Sequence, residues 1–408
     1  MSADAGSRLF ADPVPGCGLV GVCLAFPGPD AAEEPGRLGW TGLLFEILRA
    51  GGGHLPEMEV TRRFDEWGGG LRATVGHSFA TLRYTCLARH FEESLGYLLS
   101  FCAPGTAPED LFEREREARA ALVAEERSDP AAAALGRVRF RLFAGKSLAA
   151  SPLGTESDLA AADPRRLASF AGRILRPDRA FLAVSGEFDE QRARVIGEAF
   201  LGRAPEGAEA TLPRSDAGDG APAPAFRATE RHPWEQAVVV QAFPAAGTGS
   251  PDFQWLSLYA GCLNGLSGPL FEEIRERHGL AYYCSARIVA TRGEGLLAFV
   301  SGCSEERARF LAESLEGILR RVARQGFSDA EFAAGLAQAR AALRLGRQRS
   351  DWRAFRMATR PVLGLPSDLG AGDEEFWDRA SAGGLRGWAA RAVVPETGSA
   401  LFFLPGGG

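Results

Sequence analysis

The stretch GWTGLLFEILRAGGG, residues 39 to 53, sets Trp40, Leu43, Leu44, Ile47 and Leu48 along one helical stripe, so it predicts a helix pressed on a core. Its other face carries Gly42, Phe45, Glu46 and Arg49 at the same spacing and reads as unfinished. Further along, the pattern predicts a strand over 16–26, a helix over 58–67, and an antiparallel pair at GLRATVG and FATLRYTCLA. Amphipathic helices follow over 91–102, 108–127 and 131–143, and AFLAVSGEFD adds a strand over 180–189. Beyond residue 235 the order repeats. QAVVVQAF reads as a strand, with helices through Asn264 and over 269–278, strands over 281–290 and 295–300, and helices from Glu305. Strand and helix runs mixed in this way predict an α+β fold rather than a doubly wound sheet.

The two halves also resemble each other residue by residue. EESLGYLL (92–99) returns as AESLEGIL (312–319), and ARAALVAEERSD (118–129) returns as ARAALRLGRQRSD (339–351), in the same order and with Phe112 matched by Phe332. This is the mark of an internal duplication. Between the copies, residues 203–234 are rich in Pro, Ala, Gly and Asp and lack periodicity, as an exposed linker does. The expected organisation is an N-terminal domain over 1–202, a linker over 203–234 and a homologous C-terminal domain over 235–408.

Composition narrows the function. At 408 residues the chain is too long for one ordinary core, and its 46% hydrophobic and 24% charged residues include no apolar run long enough to cross a bilayer. A net charge of -6 without a segregated basic patch argues against a general nucleic-acid binder. The opening MSADAGSRLFADPVPG lacks a basic start followed by an apolar core, so export and membrane association are not expected. Seven cysteines, odd in number and never spaced CxxC, suit reduced thiols and a cytoplasmic location.

Candidate chemistry is sparse. The chain has five histidines, His54, His77, His90, His232 and His278, and none belongs to a His-x-x-Glu-His or His-Glu-x-x-His string. The nearest strings, HFEES and HPWEQ, each hold one histidine and one glutamate. The glycine runs at 51–53 and 68–70 lack the phosphate-loop pattern and read as turns, and EREREARAALVAEER reads as a solvated helix face. In SGPLFEEIRERHGLAYY, Ser267 is placed to cap a helix, Pro269 suits its first turn, and Gly279 ends it before a strand carrying Tyr282. That layout lets Arg275 and Tyr282 face one cleft. Local pattern alone makes Arg275 a solvated helix residue and Tyr282 a packed edge residue.

Several of these segments together resemble the insulinase or pitrilysin zinc-peptidase superfamily, including its mitochondrial-processing-peptidase-like bacterial members. The resemblance covers nearly the whole chain and rests most firmly on GTESDLAAADPRRLASFAGRILRPDRAFLAVSGEFD and LFEEIRERHGLAYY. GWTGLLFEILRAGG, RRFDEWGGGLRATVGHSFATLRYTCL and EREREARAALVAEERSDP support it. It implies two homologous α+β domains, each an antiparallel-rich sheet flanked by helices, forming a clamshell half. Active members carry His-x-x-Glu-His on the first helix, two imidazoles one turn apart on one Zn²⁺ with a glutamate to activate water, and a further glutamate ligand on a later helix. Matched onto this chain, the histidine positions are Gly42 and Glu46, the catalytic glutamate position is Phe45, and the later ligand position is Leu122, with Glu125 and Glu126 close by. No metal is therefore expected on this chain.

The resemblance also implies that Arg275 and Tyr282 are the arginine and tyrosine that orient a peptide and stabilise charge on its carbonyl oxygen. A chain without zinc ligands that keeps this pair resembles the non-zinc subunit of two-chain bacterial members. The expected role is a substrate-positioning partner, inactive alone, of a homologous His-x-x-Glu-His subunit that holds the zinc, with a peptide as substrate. The alternatives are a structural or peptide-binding protein of the same fold with no part in hydrolysis, or an auxiliary subunit in maturation of a ribosomally made peptide.

Overall fold

A computed structural model describes residues 7–103, 105–203, 221–265 and 267–406. They fall into two compact units, one within Met1–Ala124, Ser151–Asp216 and Leu345–Leu369, the other within Glu125–Ala150, Ala217–Arg344 and Gly370–Gly408. The units are thus not the two sequence halves. Each takes a segment from the other half.

The first unit is built on β1 (Leu9–Pro13), β2 (Leu19–Pro27), β3 (Arg72–Val75), β4 (Phe79–Leu87) and β5 (Phe181–Gly186), in the order β1-β5-β2-β4-β3. β1 runs parallel to β5 with Leu9 opposite Leu182, and the other pairs are antiparallel, with Val22 opposite both Tyr84 and Val184. After Leu19 every residue of β2 is buried, where a strand with one solvated face would alternate. The cause is a helix on each side. Trp40–Arg49 contributes to the core on one face, while Ala354, Met357, Ala358 and Val362 of the helix Ser350–Val362 meet Phe10, Cys23, Ala25 and Ala183 on the other. At Gly21 the place a Cβ would take is filled by the Ser350 backbone, so only glycine lets this helix reach the sheet. Arg353 then fixes it, its Nε 2.9 Å from the Asp12 carboxylate and 2.7 Å from the Ser185 hydroxyl.

The second unit repeats the plan with β6 (Arg227–His232), β7 (Ala237–Ala246), β8 (Tyr283–Ala290), β9 (Glu294–Cys303) and β10 (Ser399–Pro405), in the order β6-β10-β7-β9-β8. Again one edge pair is parallel and the rest antiparallel, so the duplication read from sequence is also a duplication of topology. The helix Pro130–Leu142 starts where Asp129 accepts the Ala132 amide, 2.6 Å, and lays Ala134, Val138 and Leu142 on Val238, Val240, Ala298 and Val300. Just beyond it Lys146, the only lysine, pairs with Glu294, and both are largely buried. Replacing one partner of such a pair strands a charge, so Lys146→Met is expected to cost about 3 kcal/mol in urea unfolding, most of it recovered in Lys146→Met/Glu294→Leu.

Three strands differ from the sequence reading, two of them at sheet edges. β1, β6 and β10 were not expected as strands, and β6 lies inside the segment read as linker. Residues 204–220 of that linker lie outside the described residues. The segment expected as an ordinary helix over 269–278 is a π-helix, Leu270–Arg277, and it starts without any side-chain cap, so Ser267 does not play the capping part. No described helix is long and apolar enough to cross a membrane.

Candidate functional site

The helix Trp40–Arg49 starts after Gly39, whose positive φ lets it pass close to the Leu153 carbonyl. The Glu33 carboxylate accepts the Gly39 and Thr41 amides, both at 2.7 Å, at the end of the helix where the dipole favours an anion. Burial pushes the Glu33 carboxyl up, against the pull of these hydrogen bonds. The predicted stripe of Trp40, Leu43, Leu44, Ile47 and Leu48 is buried as expected.

The other face is closed at Gly42 and Phe45, which the sequence reading did not foresee, while Glu46 and Arg49 stay half-buried. Phe45, at the catalytic-glutamate position, is wholly buried and packs edge-on against Phe26 at 5.9 Å. Gly42 is covered by Arg119, whose guanidinium fills the place a Cβ would take. Arg119 comes from the helix Glu109–Ser128, is only 6% exposed, and donates from Nη2 to the Pro152 carbonyl at 2.5 Å. Burial pulls its pKa down, while Glu33 and Glu46 oppose that shift. Glu46 accepts from Arg49 at 2.7 Å, and Arg49 lies 3.8 Å from Glu115, which also pairs with Arg114 at 2.9 Å.

Leu122, at the later ligand position, is 46% exposed. The charge of Glu126 favours the protonated form of the buried Arg139. His232 is structural, with Nε2 2.9 Å from the Phe403 carbonyl and Nδ1 accepting the Trp234 amide, and His278 rests against Phe310. Among the described residues no group of three or more His, Cys, Asp or Glu side chains is arranged to hold a metal ion. The residues present do not fit zinc. Carboxylates without an imidazole are a poor donor set, and a guanidinium stands among them.

In the second unit Tyr282 leads into β8, its amide bonded to the Gly302 carbonyl at 2.8 Å, and its side chain is 67% exposed. It lines an open cleft of about 820 Å³ together with Trp234, Glu235, Cys303, Ser304 and Glu306. Arg275 is exposed on the π-helix with its guanidinium over the Phe271 ring at 5.3 Å, and it is not among the residues lining this cleft. The Ser304 hydroxyl holds the Glu306 carboxyl below its usual range. Burial pushes the Cys303 thiol up to about 11, so it stays protonated at neutral pH. Burial likewise lifts Cys284 to about 11 and Cys23 to about 12, whereas Cys17 is exposed. Native alkylation at pH 8 is accordingly expected to label Cys17 first, read by peptide mass mapping, with the rest reacting only on unfolding.

Sequence reasoning missed Arg119 and the Trp234 side of the cleft. The first signal was present, since Glu115, Arg119 and Leu122 share one helix face, but the charged run around them reads as solvated.

Residues 162–339 match the family described as Peptidase M16 inactive domain. An uncharacterized zinc protease of Mycobacterium leprae is 27% identical over 282 residues, covering 67% of this chain and 62% of that protein, and one of Bacillus subtilis is 24% identical over 308 residues, covering 73% and 72%. The match thus spans less than two thirds of the mycobacterial protein. Among solved structures, a peptidase M16 inactive domain from Pseudomonas fluorescens superposes with a TM-score of 0.87 at 15% identity, over 98% of this chain and 97% of that one. A chain of complex III from Candida albicans gives 0.79 at 16% identity, over 97% and 93%. Residues 162–339 thus match an M16 peptidase domain of the inactive type, and the chain is similar to proteins named as zinc proteases and has the fold of M16 domains.

Proposed function

We propose that this chain is the non-catalytic, substrate-positioning subunit of a heterodimeric zinc endopeptidase, working with a homologous His-x-x-Glu-His subunit on peptides or unfolded segments. The observation that carries this reading is the replacement of the metal donors by Gly42, Phe45 and Glu46 under the Arg119 guanidinium. Hydrolysis by this chain alone has no chemical basis there. The second unit, by contrast, leaves Tyr282 and Arg275 exposed, a phenol and a guanidinium suited to a developing oxyanion. Peptide capture by strand addition would use an open sheet edge such as β3 or β8, reading backbone more than side chains. Zinc belongs to the partner chain in this reading.

The test is co-expression with a homologous His-x-x-Glu-His chain. A 1:1 complex that cleaves an unfolded peptide, with neither chain active alone, is the expected outcome. Stoichiometric zinc and unaided cleavage by the isolated chain would end the proposal. The likeness to a complex III chain supports a second reading, a purely structural subunit. That reading predicts normal assembly and no effect of Arg275 or Tyr282 substitutions on any hydrolysis.

A further inference from the structure

We infer that Arg119 is a tethered cation that fills the cradle where family members hold their metal, and that this cradle, emptied of Arg119, is a guanidinium-binding site. The inference goes beyond the proposed partner role and does not depend on it.

Gly42 is the first indication. It sits inside a regular helix and is absent from the residues with positive φ, so its backbone does not call for glycine. Glycine weakens a helix interior relative to alanine, and a packing reason is needed for it. The guanidinium of Arg119 is that reason, because it takes the Cβ position. The far end of an arginine normally swings away from such a clash at little cost. Here it is held, since the side chain is buried and Nη2 is bonded to the Pro152 carbonyl.

Charge is the second indication. A buried guanidinium is costly unless carboxylates face it. Glu33 and Glu46 do so by their charge, and Glu46 is tied through Arg49 to Glu115 and Glu57. Arg119, Arg49 and Arg114 therefore supply positive charge among carboxylates clustered at the degenerate motif. Nε of Arg119 has no hydrogen-bond partner among the described residues, so the site is fitted to a planar cation's charge and shape more than to all its donors.

A double-mutant cycle read by thermal unfolding tests the inference. Gly42→Ala in the wild-type chain is expected to lower Tm by about 5 °C, by pitting a Cβ against the guanidinium. The same Gly42→Ala in an Arg119→Ala background is expected to raise Tm, because the space is free and alanine is the better helix former. Equal effects in both backgrounds would overturn the claim of shared space. For the cation-binding claim, millimolar guanidinium chloride, against sodium chloride, is expected to raise Tm of Arg119→Ala and leave the wild type unmoved. No difference between the two proteins would overturn it. Should Arg119→Ala fail to fold, Arg119→Lys is expected to retain more of the wild-type Tm than Arg119→Met. The reverse order would show that the side chain acts by packing alone.

Discussion

A fragment ending at residue 203 is expected not to fold on its own, although it contains every strand of the first sheet. It lacks the helix Ser350–Val362, which covers Phe10, Cys23, Ala25 and Ala183 with Ala354, Met357, Ala358 and Val362. At roughly 1 to 3 kcal/mol per buried aliphatic side chain, losing that cover removes on the order of 5 to 10 kcal/mol, comparable to the whole stability of a domain. Asp12 and Ser185 lose Arg353 as well. The complementary fragment from residue 221 lacks Pro130–Leu142 and leaves Val238, Val240, Ala298 and Val300 bare. Each fragment alone is expected to show weak near-ultraviolet circular dichroism and to aggregate, while co-expressed fragments co-purify as a folded pair. Gly21→Val in the intact chain reproduces the defect locally, by driving a side chain into the Ser350 backbone. A fragment over 7–203 that unfolds cooperatively by itself would refute this account of the exchanged helices.

That exchange also marks the limit of what the sequence discloses. Helices and most central strands were legible because their burial pattern is local: the stripe of Trp40, Leu43, Leu44, Ile47 and Leu48 needs no knowledge of its partner. The same kind of stripe cannot say which sheet it covers, so the pattern does not reveal that Ser350–Val362 packs in the unit with β1–β5 and Pro130–Leu142 in the unit with β6–β10. β1, β6 and β10 escaped notice for a related reason. They are short and held by ladders to distant segments, Leu9 to Leu182 and Ala400 to Arg227, and β6 is polar and alternates exposed with more buried positions as an edge strand does. In the candidate site the absence of imidazoles at Gly42 and Glu46 was plain from the residues. What covers Gly42 was not, because Arg119 lies in a charged helix whose pattern signals solvent. The π-helical form of Leu270–Arg277 was equally hidden, since the pattern there suits an α-helix just as well.

In an active complex, Tyr282→Phe is expected to lower kcat about 100-fold, the usual cost of deleting one donor to a developing oxyanion. The phenylalanine keeps the ring that lines the cleft and removes only the hydroxyl, so KM should change little. Arg275→Ala removes a charge that acts on bound substrate as well as on the transition state, and is expected to raise KM in addition to lowering kcat. Both side chains are exposed, and exposed substitutions of this kind shift stability by about 0.5 kcal/mol or less, so Tm and the 1:1 assembly serve as controls. The zinc content of the partner should stay at one ion per complex, which separates lost positioning from lost metal. Because Tyr282 lines the cleft and Arg275 does not, the two variants can also fail separately. An effect of Tyr282→Phe alone would confine the substrate contact to the cleft, and less than a threefold change in kcat for both would leave the structural reading standing.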